Sequence, residues 1–262
     1  AKKKLNLDER LFHIGLILLP SATLFSAIIL LISLISSYIK NYKLFLRDKS
    51  NQILIICAFL MILSCFKNSI FIDKNIHEIL LGYNQNYRNL FWLDLFNWIP
   101  LFLCFWGFQP YLKTYAQRYN STINLLIGTI PVVISCAGQY FLGWHEPIIK
   151  LNGLLVWYQS PLLGGEGVSG LFSNQNYTGF WLSVAWALSI GLLYLKSSNF
   201  YKKFFLILMS SSLLFFIILT TSRNAIISSI LAMPFIFGFK IFLYIISILL
   251  ILIFSLFLLY QI

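Results

Sequence analysis

Two unbroken apolar runs set the first limit on what this chain can become. Residues 204–221 read FFLILMSSSLLFFIILTT, and residues 241–260 read IFLYIISILLILIFSLFLLY. Each approaches or reaches the ~20 residues that a helix needs to cross a bilayer. In hydrocarbon the backbone must satisfy its own N–H and C=O groups, and a helix does so without help from neighbours. Further apolar stretches at 11–39, 52–66, 91–112, 123–144, 171–195 and 224–239 extend the pattern. They predict an all-α, polytopic transmembrane helix bundle of about eight spans. Only 10% of the residues are charged, against ~25% in an ordinary soluble domain, so residues 1–262 read as a single transmembrane domain with no soluble module.

The net charge of +11 would suggest nucleic acid in a soluble protein. Here the basic residues fall in short connections, such as KNYKLFLRDKSN (40–51) and KSSNFYKK (196–203). That placement is the signature of membrane orientation, so the lipid bilayer is the expected partner and nucleic acid is not. Lys40, Lys43, Arg47 and Lys49 mark one cytoplasmic turn, Lys113 and Arg118 a second, and Lys196, Lys202 and Lys203 a third. Residues 144–170 hold a single Lys150 against Glu146 and Glu166, which places them outside. The mixed-charge segment 67–90 then falls outside as well.

The first run is awkward. As one helix, residues 11–39 would measure about 43 Å, and a single crossing would leave Lys2–Lys4 outside. A pair of short helices turning near Pro20 and Ser21 restores the sign. The four cysteines (57, 65, 104 and 136) lie inside expected spans without C-x-x-C spacing, and read as small buried hydrophobes. Aromatics form 18% of the chain, chiefly as interfacial belts. The chain begins without Met and stops at the end of a span, so further sequence is expected beyond 262.

The polar residues are informative because they are few. GLFSNQNYTGF (170–180) opens an apolar run with Ser173, Asn174, Gln175 and Asn176 side by side. Ser173 or Asn174 can cap the first helical turn. Capping explains one polar residue well and four poorly, so the others are read as lining a polar notch at the outer surface. Arg223, in LTTSRNAI, directly follows the 204–221 span, at the same outer level. Such an Arg is either an interfacial snorkelling side chain or an anion site, since a guanidinium binds phosphate oxygens as a fork.

GLFSNQNYTGFWLS, preceded by the outward LNGLLVWYQSP and followed one span later by TTSRNA, resembles the bacterial O-antigen ligase and O-antigen polymerase superfamily. The resemblance covers roughly residues 151–239. It implies a metal-independent membrane glycosyltransferase in the bacterial inner membrane, active on the outer face and without cofactor. Such an enzyme moves a glycan from undecaprenyl diphosphate to lipid A-core or to another glycan acceptor. Polymerases and protein O-oligosaccharyltransferases of the same superfamily share this chemistry. Arg223 matches the family's small-x-Ser/Thr-Arg-x-Ala motif, which implies that it holds the diphosphate during catalysis. Asn174 and Asn176 match the GLFxNxN pattern, implying a part in substrate binding or in shaping the cavity. The family's histidine base is expected in an outer loop beyond residue 262.

Other residues carry weaker expectations. Arg88, in NYRNLFW, is a candidate second cation for the diphosphate, or an ordinary interfacial Arg. Asp94 lies one turn inside the next span, where an isolated carboxylate is costly. His145 neighbours Glu146 in the outward loop, a conceivable base and orienting partner. His13 reads as interfacial and His77 as solvated. Trp157 is a candidate for sugar stacking, and Gly164, Gly165 and Gly167 for a pliable lid. The rival from another class is a transporter or flippase of lipid-linked saccharides. It is expected to carry an internal repeat and helices broken near the midplane, neither of which is visible in the sequence.

Overall fold

A computed structural model describes residues 6–75, 87–162, 166–195, 200–244 and 247. Eight helices dominate it: α1 (Leu7–Leu18), α2 (Thr23–Arg47), α3 (Lys49–Asn75), α4 (Tyr87–Gly107), α5 (Tyr115–Leu142), α6 (Gln175–Tyr194), α7 (Phe200–Leu219) and α8 (Arg223–Phe237). Among the described residues, the only sheet is one small hairpin, β1 (Ile148–Lys150) paired antiparallel with β2 (Leu155–Trp157). Five described helical segments are long and apolar enough to cross a membrane: Thr23–Lys43, Lys49–Lys67, Tyr115–Leu142, Gln175–Tyr194 and Phe200–Leu219, with α8 a shorter apolar helix. Their outward faces remain apolar; on α2 and α3, for instance, Leu31, Ile35, Ile53, Ile56 and Phe59 are exposed. Such faces suit lipid rather than water. This is an all-α, multi-pass membrane protein.

The helices overrun their apolar stretches, because a helix continues into the interface wherever its turns are satisfied. α5 starts at Tyr115, through the polar YAQRYNST, and α3 reaches Asn75. The first run divides at the expected place: Pro20 cannot donate, and Ser21 N and Ala22 N both bond the Leu18 carbonyl (3.2 and 2.8 Å). The two helices are unequal, however. α1 has 12 residues, about 18 Å, whereas α2 has 25 and runs to Arg47. The 224–239 stretch breaks at Gly238 (φ 87°). Most of 241–260 lies outside the described residues.

The chain forms two compact units. The first comprises Ala1–Phe12 and Leu30–Arg118. Phe12 stacks against Tyr111 (ring centroids 5.0 Å), and Tyr111 donates to the Ser33 carbonyl at 2.8 Å. Lys40 pairs with Asp8, while Ser33 Oγ donates to the Asp8 carbonyl at 3.2 Å.

The second unit comprises His13–Ile29 and Tyr119–Ile262. Its core is built from Leu126, Val132 and Cys136 of α5, Leu182, Ala185 and Trp186 of α6, Leu206, Leu213 and Ile217 of α7, and Ala225 of α8. α6 is the central helix, packing on both α7 and α8. Water-driven burial contributes little between helices in lipid, so close packing and interhelical hydrogen bonds hold them together. Ser189 Oγ and Ser210 Oγ, 2.8 Å apart, are one such link. Cys65 and Cys136 are buried as expected, but Cys57 is exposed, on an outward face of α3.

Candidate functional site

The polar stretch at the head of α6 divides into separate tasks. Asn174 is the N-cap: its backbone is extended, and its side-chain oxygen accepts from Asn176 N at 2.7 Å. One of the orphan donors of the first turn is satisfied in this way. Gln175 reaches back, its Oε1 accepting from Gly167 N. Thr178 Oγ1 donates to the Ser169 carbonyl. Ser173 and Asn176 are exposed, and the Asn176 amide makes no hydrogen bond among the described residues.

The preceding loop is held down by Gln139, a residue absent from the expected site. Gln139, near the end of α5, is 1% exposed. Its Nε2 donates to the Ser160 carbonyl (2.5 Å) and to Ser169 Oγ (3.1 Å). Its Oε1 accepts from Ser169 N and Gly170 N, both at 2.9 Å. A primary amide has two donor hydrogens and two acceptor lone pairs, so its capacity is filled. One turn earlier on α5, Ser135 Oγ accepts from Gln159 Nε2 at 2.8 Å. The backbone closes the same loop, with Tyr158 N bonding the Leu171 carbonyl at 3.1 Å. A polar residue four positions from another in an apolar helix was the available signal: Ser135 and Gln139 share one face.

The turn between α7 and α8 meets this framework. Val168 N donates to the Leu219 carbonyl at 3.0 Å. A Cβ on Gly167 would lie 2.0 Å from the Thr220 carbonyl oxygen, so only glycine passes there. Gly167 is therefore part of a tight crossing, not of a pliable lid; Gly164 and Gly165 lie outside the described residues. Ser222 is the N-cap residue of α8, but its side chain makes no capping bond, and its buried Oγ has no partner. Arg223 opens the helix, exposed and without an ion pair among the described residues. A helix N-terminus lacking a side-chain cap presents free N–H groups and the positive end of the dipole. Arg223 adds a full charge beside it. The combination is suited to an anion.

The two motifs come together through Gly179. A Cβ there would meet Ala225 Cβ at 2.8 Å, Ser222 Cβ at 2.9 Å and Thr220 Oγ1 at 3.0 Å. The turn bearing Arg223 thus rests on α6 one turn below Asn176. Asn174, Asn176 and Arg223 belong to one compact unit.

Other expected residues fall on other elements. Arg88 lies in the first turn of α4, in the other unit; its side chain, like that of Asp94, lies outside what the structure describes, as does His77 altogether. His145 is exposed, and its Nδ1 faces the Gly143 carbonyl at 2.7 Å; no pair with Glu146 forms. His13, read as interfacial, is buried in α1, with Nε2 3.4 Å from Ser121 Oγ. Trp157, the candidate for stacking, donates its indole N–H to the Ser21 carbonyl at 2.6 Å and packs against the core. The hairpin it belongs to was not anticipated, although Asn152–Gly153, both at positive φ, is a turn signal.

Comparison with known proteins adds no relative: no family model, no curated protein and no solved structure matches this chain.

Proposed function

We propose that this chain is a membrane glycosyltransferase of the O-antigen ligase type, moving a glycan from undecaprenyl diphosphate to lipid A-core on the outer face of the bacterial inner membrane. O-antigen polymerase and protein O-oligosaccharyltransferase are the same chemistry with another acceptor. The observation that carries the reading is Arg223, exposed at the uncapped N-terminus of α8 and seated on α6 one turn from Asn176.

In this reaction an acceptor hydroxyl oxygen attacks the anomeric carbon of the glycan. The bond from that carbon to the diphosphate oxygen breaks, the lipid diphosphate leaves with the electron pair, and the hydroxyl proton passes to a base. Negative charge grows on the leaving diphosphate, where a fixed guanidinium and free helix N–H groups stabilise it. The exposed Asn176 amide, offering both donor and acceptor, is suited to sugar hydroxyls beside that site. The Gln139 anchorage and the tight crossing at Gly167 support the geometry, because preorganised donors need no rearrangement as charge develops.

The test is deletion of the gene in its source bacterium, with gel analysis of surface lipopolysaccharide and the lipid-carrier pool. Long glycan stranded on the carrier beside bare core is the ligase outcome; cores bearing a single repeat identify a polymerase. Complementation with Arg223→Ala is expected to fail, with the protein still inserted in the membrane. Full activity of that variant sinks the assignment, and repeats trapped on the cytoplasmic leaflet point to a flippase instead.

A further inference from the structure

The first unit holds a second polar site, at the end opposite to the one expected to face outward. A cavity of about 340 Å³ opens between the end of α2 and the turn that follows α4. That volume is at the small end of the ~300–1,000 Å³ typical of ligand pockets. Its lining includes Asn41, Arg47, Asp48, Trp106, Gln109 and Lys113.

The sequence builds this opening through a kink. Asn41 leaves helical geometry (φ −125°, ψ 16°), and its side-chain Nδ2 donates to the Ser37 carbonyl at 3.0 Å, four residues back. The side chain thus occupies an acceptor that the backbone ladder normally uses. Beyond the kink, Phe45 meets Trp106 edge-on at 4.5 Å, and Tyr38 lies against the same indole at 4.7 Å. The two rings back Trp106, which itself lines the cavity. On the other side a 3-10 turn, Gln109–Tyr111, is fixed to α2 by Tyr111.

Partners are missing for several of the polar groups in this lining. Neither the Arg47 nor the Lys113 side chain forms a hydrogen bond or ion pair among the described residues. Trp106 is 3% exposed, and its indole N–H likewise has no acceptor among them. Asp48 is the sole carboxylate in the lining, and its Oδ1 already accepts from Ser50 N at 2.9 Å. Arg47 and Lys113 are exposed to solvent at the cavity mouth, and with one carboxylate against two cations the lining carries a positive balance, suited to acceptor oxygens.

We propose that this cavity binds a phosphate group, carried either by an anionic membrane lipid or by a small soluble phosphate. The Arg47 fork takes two phosphate oxygens, and Lys113 adds a point charge from the opposite wall. The Gln109 amide and the Trp106 indole N–H supply neutral donors. Lys43, Arg47, Lys49, Lys113 and Arg118 surround this end of the helices, which the positive-inside pattern assigns to the cytoplasmic side. There the surface is rich in anionic lipid.

The experiment uses the full chain purified in a neutral detergent, titrated calorimetrically with short-chain phosphatidylglycerol, short-chain phosphatidylcholine and inorganic phosphate. Saturable binding of phosphatidylglycerol is expected, weakened at least tenfold in Arg47→Gln/Lys113→Gln and unchanged in Lys43→Gln, whose ammonium lies over the Tyr42 ring outside the cavity. Binding of phosphatidylglycerol without inorganic phosphate identifies a lipid headgroup as the source. Equal binding of inorganic phosphate, lost in the same double variant, identifies a soluble phosphate. Asp48→Asn, which keeps an oxygen for Ser50 N, is expected to tighten binding several-fold, and it decides the matter if the double variant does not fold. Wild-type affinity in the double variant, no tightening in Asp48→Asn, equal affinity for phosphatidylcholine, or no saturable binding of any probe overturns the site.

Discussion

Gly179 of α6 and Ser222 at the head of α8 approach so closely that a Cβ on the glycine would stand 2.9 Å from the Ser222 Cβ. The contact joins the polar entry to α6 with the turn that carries Arg223. Backbone-to-backbone approach of this kind depends on the absence of a side chain, which is why small residues collect at helix interfaces in lipid.

Filling that contact should separate the two motifs. Gly179→Val is expected to destabilise the protein by about 1–3 kcal/mol, the usual cost of overpacking, and Gly179→Ala by less. Thermal unfolding in detergent measures the stability. If the functional reading holds, transfer activity falls further than stability does, because Arg223 shifts relative to Asn176.

Gln139 is expected to be worth more than any single residue in the loop it anchors. Gln139→Leu leaves the Ser169 and Gly170 N–H groups and the Ser160 carbonyl without this partner. Each buried group left unsatisfied costs about 1–3 kcal/mol, so a loss of several kcal/mol is expected in total. Hydrogen exchange resolves it: the amides of 169 and 170 should exchange much faster, while those in the middle of α7 change little. Unchanged protection at those two amides would contradict the anchoring role.

Asn174 and Asn176 match the same motif, yet the structure gives them different work. Asn174→Ala removes a cap and is expected to cost about 1 kcal/mol of stability, with Asn174→Asp restoring most of it. Asn176→Ala removes only an exposed amide, so stability should hold within ~0.5 kcal/mol. Transfer, on the proposed function, should fall in Asn176→Ala and recover in Asn174→Asp. Melting curves and glycan transfer, measured on all three variants, distinguish the roles.

The pair of Asp8 and Lys40 makes a prediction for acid. The Lys40 ammonium beside Asp8 holds its carboxyl below the ordinary carboxylate range, against the opposing effect of burial. A depressed carboxyl contributes stability above its unfolded pKa, near 3.9, and loses it as pH falls through the folded value. Asp8→Asn should therefore be slightly less stable than wild type at pH 7 and indistinguishable from it once the pH lies below the depressed value. The effect is small because the Lys40 side chain stands largely in solvent, where its charge is screened. Unfolding midpoints of both proteins at pH 7 and pH 2 check it.

Much of this protein follows from composition and charge alone. Long apolar runs with few charges leave the backbone no option but helix in lipid, and the break at Pro20 follows from a residue that cannot donate. The N-cap at Asn174 was legible because capping is local: the side chain bonds a backbone group two residues away. Helix ends were read less well. An apolar stretch marks the hydrocarbon and not the helix, so α5 begins eight residues before the run at 123 that announced it.

What tertiary structure alone decided is which polar groups are occupied and which are free. Gln139 and Trp157 look like any other polar-tipped residues in the sequence, but they bond to backbone carbonyls 21 and 136 positions away. The Asn174 and Gln175 side chains are bonded into the framework, while the side chains of Asn176 and Arg223 are exposed and make no hydrogen bond among the described residues. The same sorting sets Arg47 and Lys113 apart, since both cations lack a partner and share a cavity. Local sequence governs the local ladder of hydrogen bonds. A side chain's distant partners depend on how the helices pack, and no short window of residues contains that information.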